Sequence, residues 1–131
     1  MTKDFDGWGT DKKVLHSRSA APFYHEREIW WCALGVNIGF EQDGTGKRFD
    51  RPVVIIRGFS RQTLFVVPLT GKKKTGRFHF PVGPVEGREA SGILSQVRVI
   101  DAKRLLRKVG TLDETAFGNL VRAMQSTLFR V

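Results

Sequence analysis

Two polar side chains stand at the ends of strongly apolar runs and are of types that can act on a phosphate. Arg51 opens the run RPVVIIRGF, and Thr70 closes the run TLFVVPLT. A guanidinium keeps its charge and can grip phosphate oxygens with two parallel hydrogen bonds, while a hydroxyl can donate one more. Local sequence leaves ordinary alternatives open: Arg51 could pair with Glu41 or Asp101, and Thr70 could cap the turn that follows.

Other classes of catalytic site have little support in the chain. The motifs of serine hydrolases, P-loop nucleotidases and zinc proteases are absent, and histidine occurs only at positions 16, 25 and 79. Because Cys32 is the only cysteine, no internal disulfide and no multi-thiolate metal site can form. Its place in the apolar run IWWCALG indicates a buried structural thiol. We therefore expect neither a metal nor an organic cofactor.

The charge of the chain favours polyanionic partners. Lys and Arg number 22 against 13 Asp and Glu, which gives a formal net charge of +9. Such a balance suits nucleic acid, an acidic protein or an anionic membrane, and charge alone does not choose among them. No run approaches the roughly 20 apolar residues of a membrane span, and the N-terminus lacks an apolar signal-peptide core. The sequence therefore predicts a cytoplasmic protein without a membrane segment.

Two polar segments next to Arg51 and Thr70 add candidate binding residues. The first is EQDGTGKRFD at 41–50, and the second is the turn GKKKTG at 71–76. Three successive lysines are compatible with an ordinary solvent-exposed turn and equally with a positively charged surface that attracts RNA to a neighbouring phosphate site. The candidates are Gln42, Lys47, Arg48, Lys72, Lys73 and Lys74.

Runs rich in β-branched and aromatic residues predict five short strands, namely EIWWCALG, RPVVIIRGF, TLFVVPLT, RFHFPV and ILSQVRVI. Pro68 cannot donate to a ladder, so we expect it at an edge, a bulge or a strand end. GPVEGREASG is predicted to be a loop. Two helices should follow, a short one from Asp101 to Val109 and a longer one opened by Thr111 with an apolar stripe from Phe117 to Leu128.

Strands followed by helices, without a βαβ repeat, predict a mainly β (α+β) domain over residues 28–131, a small partly open antiparallel barrel with C-terminal helices. Residues 1–27 are polar and basic and are predicted to form an N-terminal arm with a short helix around Asp4 to His16. Trp30 and Trp31 should face opposite ways, as neighbours on a strand do. His79, between two phenylalanines, is expected to face solvent.

An ordered set of motifs resembles a known family. G-x-E-Q-x-G, RPVV, VPLT and Q-x-R-x-I-D follow one another along residues 27–131. Each piece alone would occur by chance, but the set in this order and spacing resembles the MazF/PemK (Kid) toxins. That resemblance implies an SH3-like barrel of the MazF/PemK/CcdB type that dimerises. It also implies a type II toxin-antitoxin endoribonuclease that cleaves single-stranded RNA without a metal and is silenced by an acidic antitoxin.

The resemblance also implies roles for individual residues. Arg51 and Thr70 match the two positions that the family ties most consistently to cleavage, and Glu41 is the nearest carboxylate that could act as a base. Some relatives instead use an Arg and an Asp just before the Q-x-R segment, where this chain has Ile93 and Ser95. The general base therefore stays open between Glu41 and none.

Two other functions remain compatible with the sequence. A CcdB-like toxin would bind DNA gyrase through the same barrel and a C-terminal helix, although the retained Arg51 and Thr70 argue against it. A non-catalytic barrel that binds RNA or DNA would use the same positive charge without cleaving its ligand.

Overall fold

The computed structural model describes residues 20–35, 50–71 and 76–129. Within these ranges the chain forms a curled antiparallel sheet, two 3-10 turns and one α-helix. The strands are β1 (Glu28–Ala33), β2 (Asp50–Gly58), β3 (Thr63–Thr70), β4 (His79–Val85), β5 (Arg88–Ile93), β6 (Arg98–Asp101) and β7 (Leu105–Thr111). The 3-10 turns are Leu94–Gln96 and Ala102–Arg104, and the helix α1 is Glu114–Leu128.

Strand β3 is the centre of the sheet. The strand order is β4-β5-β3-β2-β1-β7, and β6 pairs with β3 off this path. One edge of β3 pairs with β2, whereas the other pairs with β6 up to Val66 and with β5 from Leu69 onward. Pro68 lies between these two pairings, where β3 changes neighbour. The predicted mainly β, partly open antiparallel barrel is confirmed, with one C-terminal α-helix instead of two.

The sheet buries both of its faces. Neighbouring residues of a strand point to opposite faces, so the apolar run of β2 sends Val53 to one cluster and Val54 to the other. Trp30 is buried and Trp31 is half-exposed, as their adjacency predicts. The barrel core consists of Trp30, Cys32, Leu34, Val53, Ile55, Leu64, Val66, Ile100, Ala102 and Leu105. The helix-side core consists of Ile29, Val54, Val67, Leu69, Val82, Ala90, Leu94, Leu112, Leu120 and Met124.

Helix α1 covers the helix-side core with the stripe that its sequence predicts. Leu120 and Met124 are buried there, and Phe117 packs against the same cluster. The helix is capped by Asp113, whose carboxylate accepts a hydrogen bond of 2.8 Å from the Ala116 amide. Capping by Thr111 is wrong, because that residue ends β7. In the described ranges, no helix is long and apolar enough to cross a membrane.

The predicted helix from Asp101 to Val109 is wrong. Asp101 does act as a cap, because its carboxylate accepts a hydrogen bond of 2.8 Å from the amide of Lys103. It caps only one 3-10 turn, however. The chain then continues as β7, which pairs with β1. The backbone groups on that edge of β1 need partners, and this tertiary pairing overrides a weak local helix preference.

The segment after β3 also departs from the prediction. The expected loop GPVEGREASG is the hairpin of β4 and β5, which turns at Glu86 (φ 50°) and Gly87 (φ 78°). Two positive φ angles match the twist that a two-residue hairpin turn requires. The expected strand ILSQVRVI is divided, because Ile93 ends β5 and a 3-10 turn separates it from β6.

Strand β4 begins at His79 and lies at an edge of the described sheet, where it pairs with β5. His79 is half-buried with its Nε2 enclosed, so the expected solvent-facing position is wrong. The prediction assumed that Phe78, His79 and Phe80 alternate along one strand. Phe78 precedes the strand, so this alternation does not apply. Pro81 and Pro84 both lie on this edge strand.

Part of the predicted N-terminal arm packs on the barrel. Residues 20–27 are described, whereas the predicted helix around Asp4 to His16 lies outside the described residues. Ala21 and Tyr24 pack against the barrel core. The Tyr24 hydroxyl donates hydrogen bonds to the main-chain oxygens of Ser60 and Thr63, which ties this segment to the connection between β2 and β3.

Glu28, at the start of β1, is a buried carboxylate with a full set of donors. It accepts hydrogen bonds from the His25 amide (2.8 Å) and from Trp30 Nε1 (3.0 Å), and Lys108 Nζ lies 3.0 Å from it. Burial alone would raise its pKa, but these hydrogen bonds and the Lys108 charge outweigh burial and lower it. The ion pair between Glu28 and Lys108 links β1 to β7.

Substitution of Gly58 tests the docking of Tyr24. A Cβ at this position would lie 2.7 Å from the Tyr24 hydroxyl oxygen, so we expect Gly58→Ala to displace the ring and lower the free energy of unfolding by about 1–3 kcal/mol in urea. Gly110→Ala is the matched control, because its Cβ would meet no atom within 4 Å. Equal stabilities of the two variants would contradict the packing described here.

Replacement of Glu28 by Gln should destabilise the fold at neutral pH by about 1–3 kcal/mol, because the buried amide cannot pair with Lys108 as a carboxylate does. The folded pKa of Glu28 lies below its ordinary 4.5, so its contribution is complete above pH 4.5 and disappears as the pH falls through the lowered value. Urea unfolding from pH 7 to pH 3 should show the two proteins converging. Glu114→Gln, at an exposed position, should change little.

Candidate active site at one end of the barrel

The structure brings Arg51 and Thr70 together. β2 pairs with β3 in a register that sets Val53 opposite Pro68, and Arg51 and Thr70 each lie two residues beyond this pair on their strands. Side chains alternate along a strand, so Arg51 shares the face of Val53, which belongs to the barrel core, and Thr70 shares the face of Pro68. Arg51 Nη1 donates a 3.0 Å hydrogen bond to the main-chain oxygen of Leu69, which fixes the guanidinium beside the end of β3.

Both side chains are enclosed by neighbouring strands. Arg51 is 5% exposed and Thr70 is 6% exposed. Arg51 is paired with Cys32 of β1 on the other side of β2, and Thr70 is paired with Ser91 of β5. The two residues therefore lie within a continuous run of strands, where the backbone holds them rigidly.

Two further arginines reach the same end of the barrel. Arg98 lies on β6, opposite Val66 of β3, and its Nη1 donates a hydrogen bond of 3.4 Å to the main-chain oxygen of Leu34. Arg104, in the 3-10 turn before β7, donates to the oxygen of Ala33 at 3.1 Å. These two oxygens lie where β1 ends, next to the start of β2.

We call this end of the barrel, with Arg51, Thr70, Arg98 and Arg104, the barrel mouth. Neither Arg98 nor Arg104 is among the site residues predicted from the sequence: Arg98 lies in the Q-x-R-x-I-D motif without an assigned role, and Arg104 falls within the helix predicted from Asp101 to Val109, which does not form. Only the motif could have pointed to Arg98, because long side chains that cross a fold leave no local signal.

Electrostatics at the barrel mouth are dominated by these guanidinium groups. Burial lowers the pKa of Arg104, and the nearby positive charge of Arg98 lowers it further. Cys32 lies beneath them, fully buried, and burial raises its pKa to about 12 despite the opposing influence of both arginines. The predicted structural thiol is thus neutral and enclosed.

Several predicted site residues lie outside the described part of the chain. The described residues end at Gly35 and Gly71 before the two segments that carry them and resume at Asp50 and Gly76. The residues concerned are Glu41, Gln42, Lys47, Arg48, Lys72, Lys73 and Lys74.

The two positions just before the Q-x-R segment, Ile93 and Ser95, hold neither an arginine nor an aspartate. Ile93 is buried and Ser95 is exposed. The carboxylate of Asp101 caps the 3-10 turn that follows it. Among the residues that the structure describes, no group of three His, Cys, Asp or Glu side chains is arranged to hold a metal ion.

A separate cavity of about 460 Å³ lies at the opposite end of β2. It is lined in part by Phe23, Tyr24 and Phe59, and the Arg61 guanidinium lies 4.3 Å from the centre of the Phe23 ring. Gly58, which lines this cavity, is seven residues from Arg51 along β2, and this separation corresponds to roughly 23 Å. This cavity is therefore not part of the barrel mouth.

Comparisons with known proteins agree with this fold. The family model for PemK-like, MazF-like toxins of type II toxin-antitoxin systems matches residues 25–128. A search of curated protein sequences finds no match.

Solved structures extend the likeness to three dimensions. MazF from Deinococcus radiodurans has a TM-score of 0.63 at 16% identity, covering 82% of this chain and 96% of that one. Toxin MazF-mt6 from Mycobacterium tuberculosis has a TM-score of 0.59 at 18% identity, covering 78% and 96%. A MazE-MazF structure from Deinococcus radiodurans has a TM-score of 0.60 at 12% identity, covering 82% and 95%. At such identities the likeness concerns the fold.

The enclosure of Cys32 can be measured by alkylation. Only a thiolate reacts with iodoacetamide, and with a pKa of about 12 almost none is present at pH 8. We expect the folded protein to react at least about a hundredfold more slowly than the urea-unfolded protein, because reaction requires opening of the barrel. Mass spectrometry gives both rates, and similar rates in the two states would contradict a buried thiol.

Proposed function

Since the chain belongs to the PemK-like, MazF-like toxin family of type II toxin-antitoxin systems, we propose that it is a metal-independent endoribonuclease that cleaves single-stranded RNA at selected sequences. The observation that carries this proposal is the 3.0 Å hydrogen bond from Arg51 Nη1 to the main-chain oxygen of Leu69, which holds a cation beside Thr70 at the end of β3. A fixed cation beside a hydroxyl suits a phosphate group that gains negative charge in the transition state.

The proposed reaction uses the RNA's own nucleophile. The 2′-oxygen attacks the adjacent phosphorus, and the bond from phosphorus to the 5′-oxygen of the next nucleotide breaks. The proton of the 2′-hydroxyl passes to a base, and the departing 5′-oxygen takes up a proton. The products are a 2′,3′-cyclic phosphate and a 5′-hydroxyl, and neither water nor a metal ion takes part in this step. In-line attack favours a flexible single strand.

Arg51 has the electrostatic role in this proposal. Its hydrogen bond to the Leu69 oxygen orients the guanidinium in advance, so little reorganisation is needed when charge develops on the non-bridging oxygens. Thr70 donates a hydrogen bond that places the phosphate. Glu41 is the proposed base, and without it catalysis depends mainly on electrostatic stabilisation by Arg51 with modest help in proton transfer.

The wider RNA contact and the partners follow from charge. A net charge of +9 favours RNA and an antitoxin with an acidic segment that competes for the same surface. The structural likeness to MazF in MazE-MazF structures supports an antitoxin partner. We also propose that two copies of the chain associate. The proposed RNA contacts outside the catalytic pair are Gln42, Lys47, Arg48, Lys72, Lys73 and Lys74.

Cleavage by purified protein in EDTA tests the proposed function. We expect single-stranded RNA to be cut at discrete sites that leave 5′-hydroxyl and 2′,3′-cyclic phosphate ends. Thr70→Val keeps the shape of the side chain but removes its donor, and Arg51→Met keeps much of its length but removes its charge. Each should lower kcat about 100- to 1,000-fold, as the loss of a preorganised donor does, with a smaller change in KM.

The control is Arg122→Gln on the exposed face of α1, which should cleave like the parent. Urea unfolding checks that each variant is folded. Metal-dependent cutting that leaves 5′-phosphates would exclude the proposed mechanism. RNA binding without any cleavage by the parent would instead indicate a non-catalytic binding barrel, and gyrase inhibition without cleavage would indicate a CcdB-like toxin.

A further inference from the structure

The cavity at the far end of β2 is a groove between two segments of the chain. Residues 22–26, which precede β1, form one wall, and residues 58–61, at the end of β2 and in the connection to β3, form the other. We call it the arm groove. Its volume of about 460 Å³ is within the range of pockets that hold small molecules.

Hydrogen bonds between the two segments hold the walls of the arm groove in place. The Tyr24 hydroxyl donates to the main-chain oxygens of Ser60 and Thr63. The Gly58 amide donates a hydrogen bond of 3.0 Å to the carboxylate of Glu26. The groove is therefore formed before a ligand binds, and a preformed site loses little conformational entropy on binding.

Each wall of the arm groove carries a large exposed aromatic ring. Phe23 on one wall is 75% exposed, and Phe59 on the other is 58% exposed. Exposed apolar groups that are gathered in one place and bordered by polar residues are typical of interaction sites. The flat faces of such rings can stack on a nucleobase.

The charged groups of the arm groove favour an anionic ligand. The Arg61 guanidinium lies 4.3 Å from the centre of the Phe23 ring, and contact with a ring leaves its positive charge without a counter-ion. Among the described residues that line the groove, Glu26 is the one carboxylate. Arg57 Nε lies 4.0 Å from this carboxylate and opposes its charge. These three side chains together carry a net positive charge.

We propose that the arm groove binds one nucleotide of single-stranded RNA. The base stacks on the Phe59 ring, and Arg61, which the Phe23 ring orients, binds the adjoining phosphate. An acidic peptide would neutralise Arg61 without using the flat faces of the rings, so the groove favours a nucleotide. This inference rests on the proposed function, because it takes the bound RNA to be the strand that is cut at Arg51.

The distance between the arm groove and Arg51 determines which RNAs can use it. Gly58 and Arg51 are roughly 23 Å apart along β2. A strand with stacked bases advances about 3.4 Å per nucleotide, so about seven nucleotides span this distance. RNAs that cover only the barrel mouth are therefore too short to reach the groove. A nucleotide bound there does not react, so its contacts lower KM and leave kcat nearly unchanged.

Two lengths of RNA test the arm groove. One is the shortest RNA that the parent cleaves, and the other is the same RNA extended by about ten nucleotides at each end. Phe59→Leu and Arg61→Gln should each raise KM about tenfold on the long RNA and change it less than about twofold on the short one. Phe59→Trp, which keeps a flat ring, should stay within about threefold of the parent on both.

Single abasic nucleotides in the long RNA locate the contact. One position should raise the parent's KM about tenfold, and the same change should cost Phe59→Leu no more than about twofold, because the stacking partner is already absent. Losses that multiply independently at every position would overturn the proposed stacking on Phe59.

The controls separate this inference from the proposed function. Arg122→Gln on α1 should behave like the parent on both RNAs, and urea unfolding checks that each variant is folded. If the parent cleaves both RNAs and Phe59→Leu has the parent's KM on the long one, the arm groove does not bind RNA, although the proposed function stands. Weaker binding of an acidic peptide by Phe59→Leu, with unchanged KM on the long RNA, would assign the groove to a protein partner instead.

Fluorescence anisotropy of labelled long and short RNA gives a second measurement that does not depend on cleavage. If the parent cleaves no RNA, the proposed function fails, and the affinities of the parent and Phe59→Leu for the two RNAs still decide whether the groove binds a nucleotide. Equal affinities of the two proteins for the long RNA would overturn this inference.

Discussion

The register of β2 against β3 brings the start of β2, with Arg51, to the end of β3, with Thr70, where Arg51 bonds to the main-chain oxygen of Leu69. A slip by one residue would turn one strand's side chains to the other face and separate the pair. The register is strongly determined because both faces of these strands are buried, with Val53 on the barrel core and Val54 on the helix-side core. The same alternation that packs the two cores therefore aligns the candidate site.

The strands could be predicted from the sequence because their signals are local apolar runs. Arg51 and Thr70 stand out only through the ordered family motifs around them, and their role in catalysis stays a prediction. The helix expected after Asp101 could not form, since the open edge of β1 recruits that segment as β7. The hairpin at Glu86 was missed because a non-glycine residue with positive φ gives no compositional sign of a turn.

The arginines of the barrel mouth show a second limit of local reasoning. Arg98 and Arg104 are brought to the end of β1 by the path of the whole sheet, and each bonds to a carbonyl more than 60 positions away in the chain. No periodicity or spacing encodes such a contact. At the other end of β1, Glu28 meets Lys108 and balances its charge.

The edge strand β4 bears on how the protein behaves at high concentration. An incoming strand gains affinity from main-chain hydrogen bonds, and the two prolines of β4, Pro81 and Pro84, offer none of the amide donors that such a strand needs. Strand β7 at the other end of the sheet order carries Arg107, a long charged side chain that stays largely exposed while it pairs with Glu86. Both outer strands thus disfavour the addition of a strand from another molecule. The fold can therefore keep a dense β core without promoting fibril formation at the edges of its sheet.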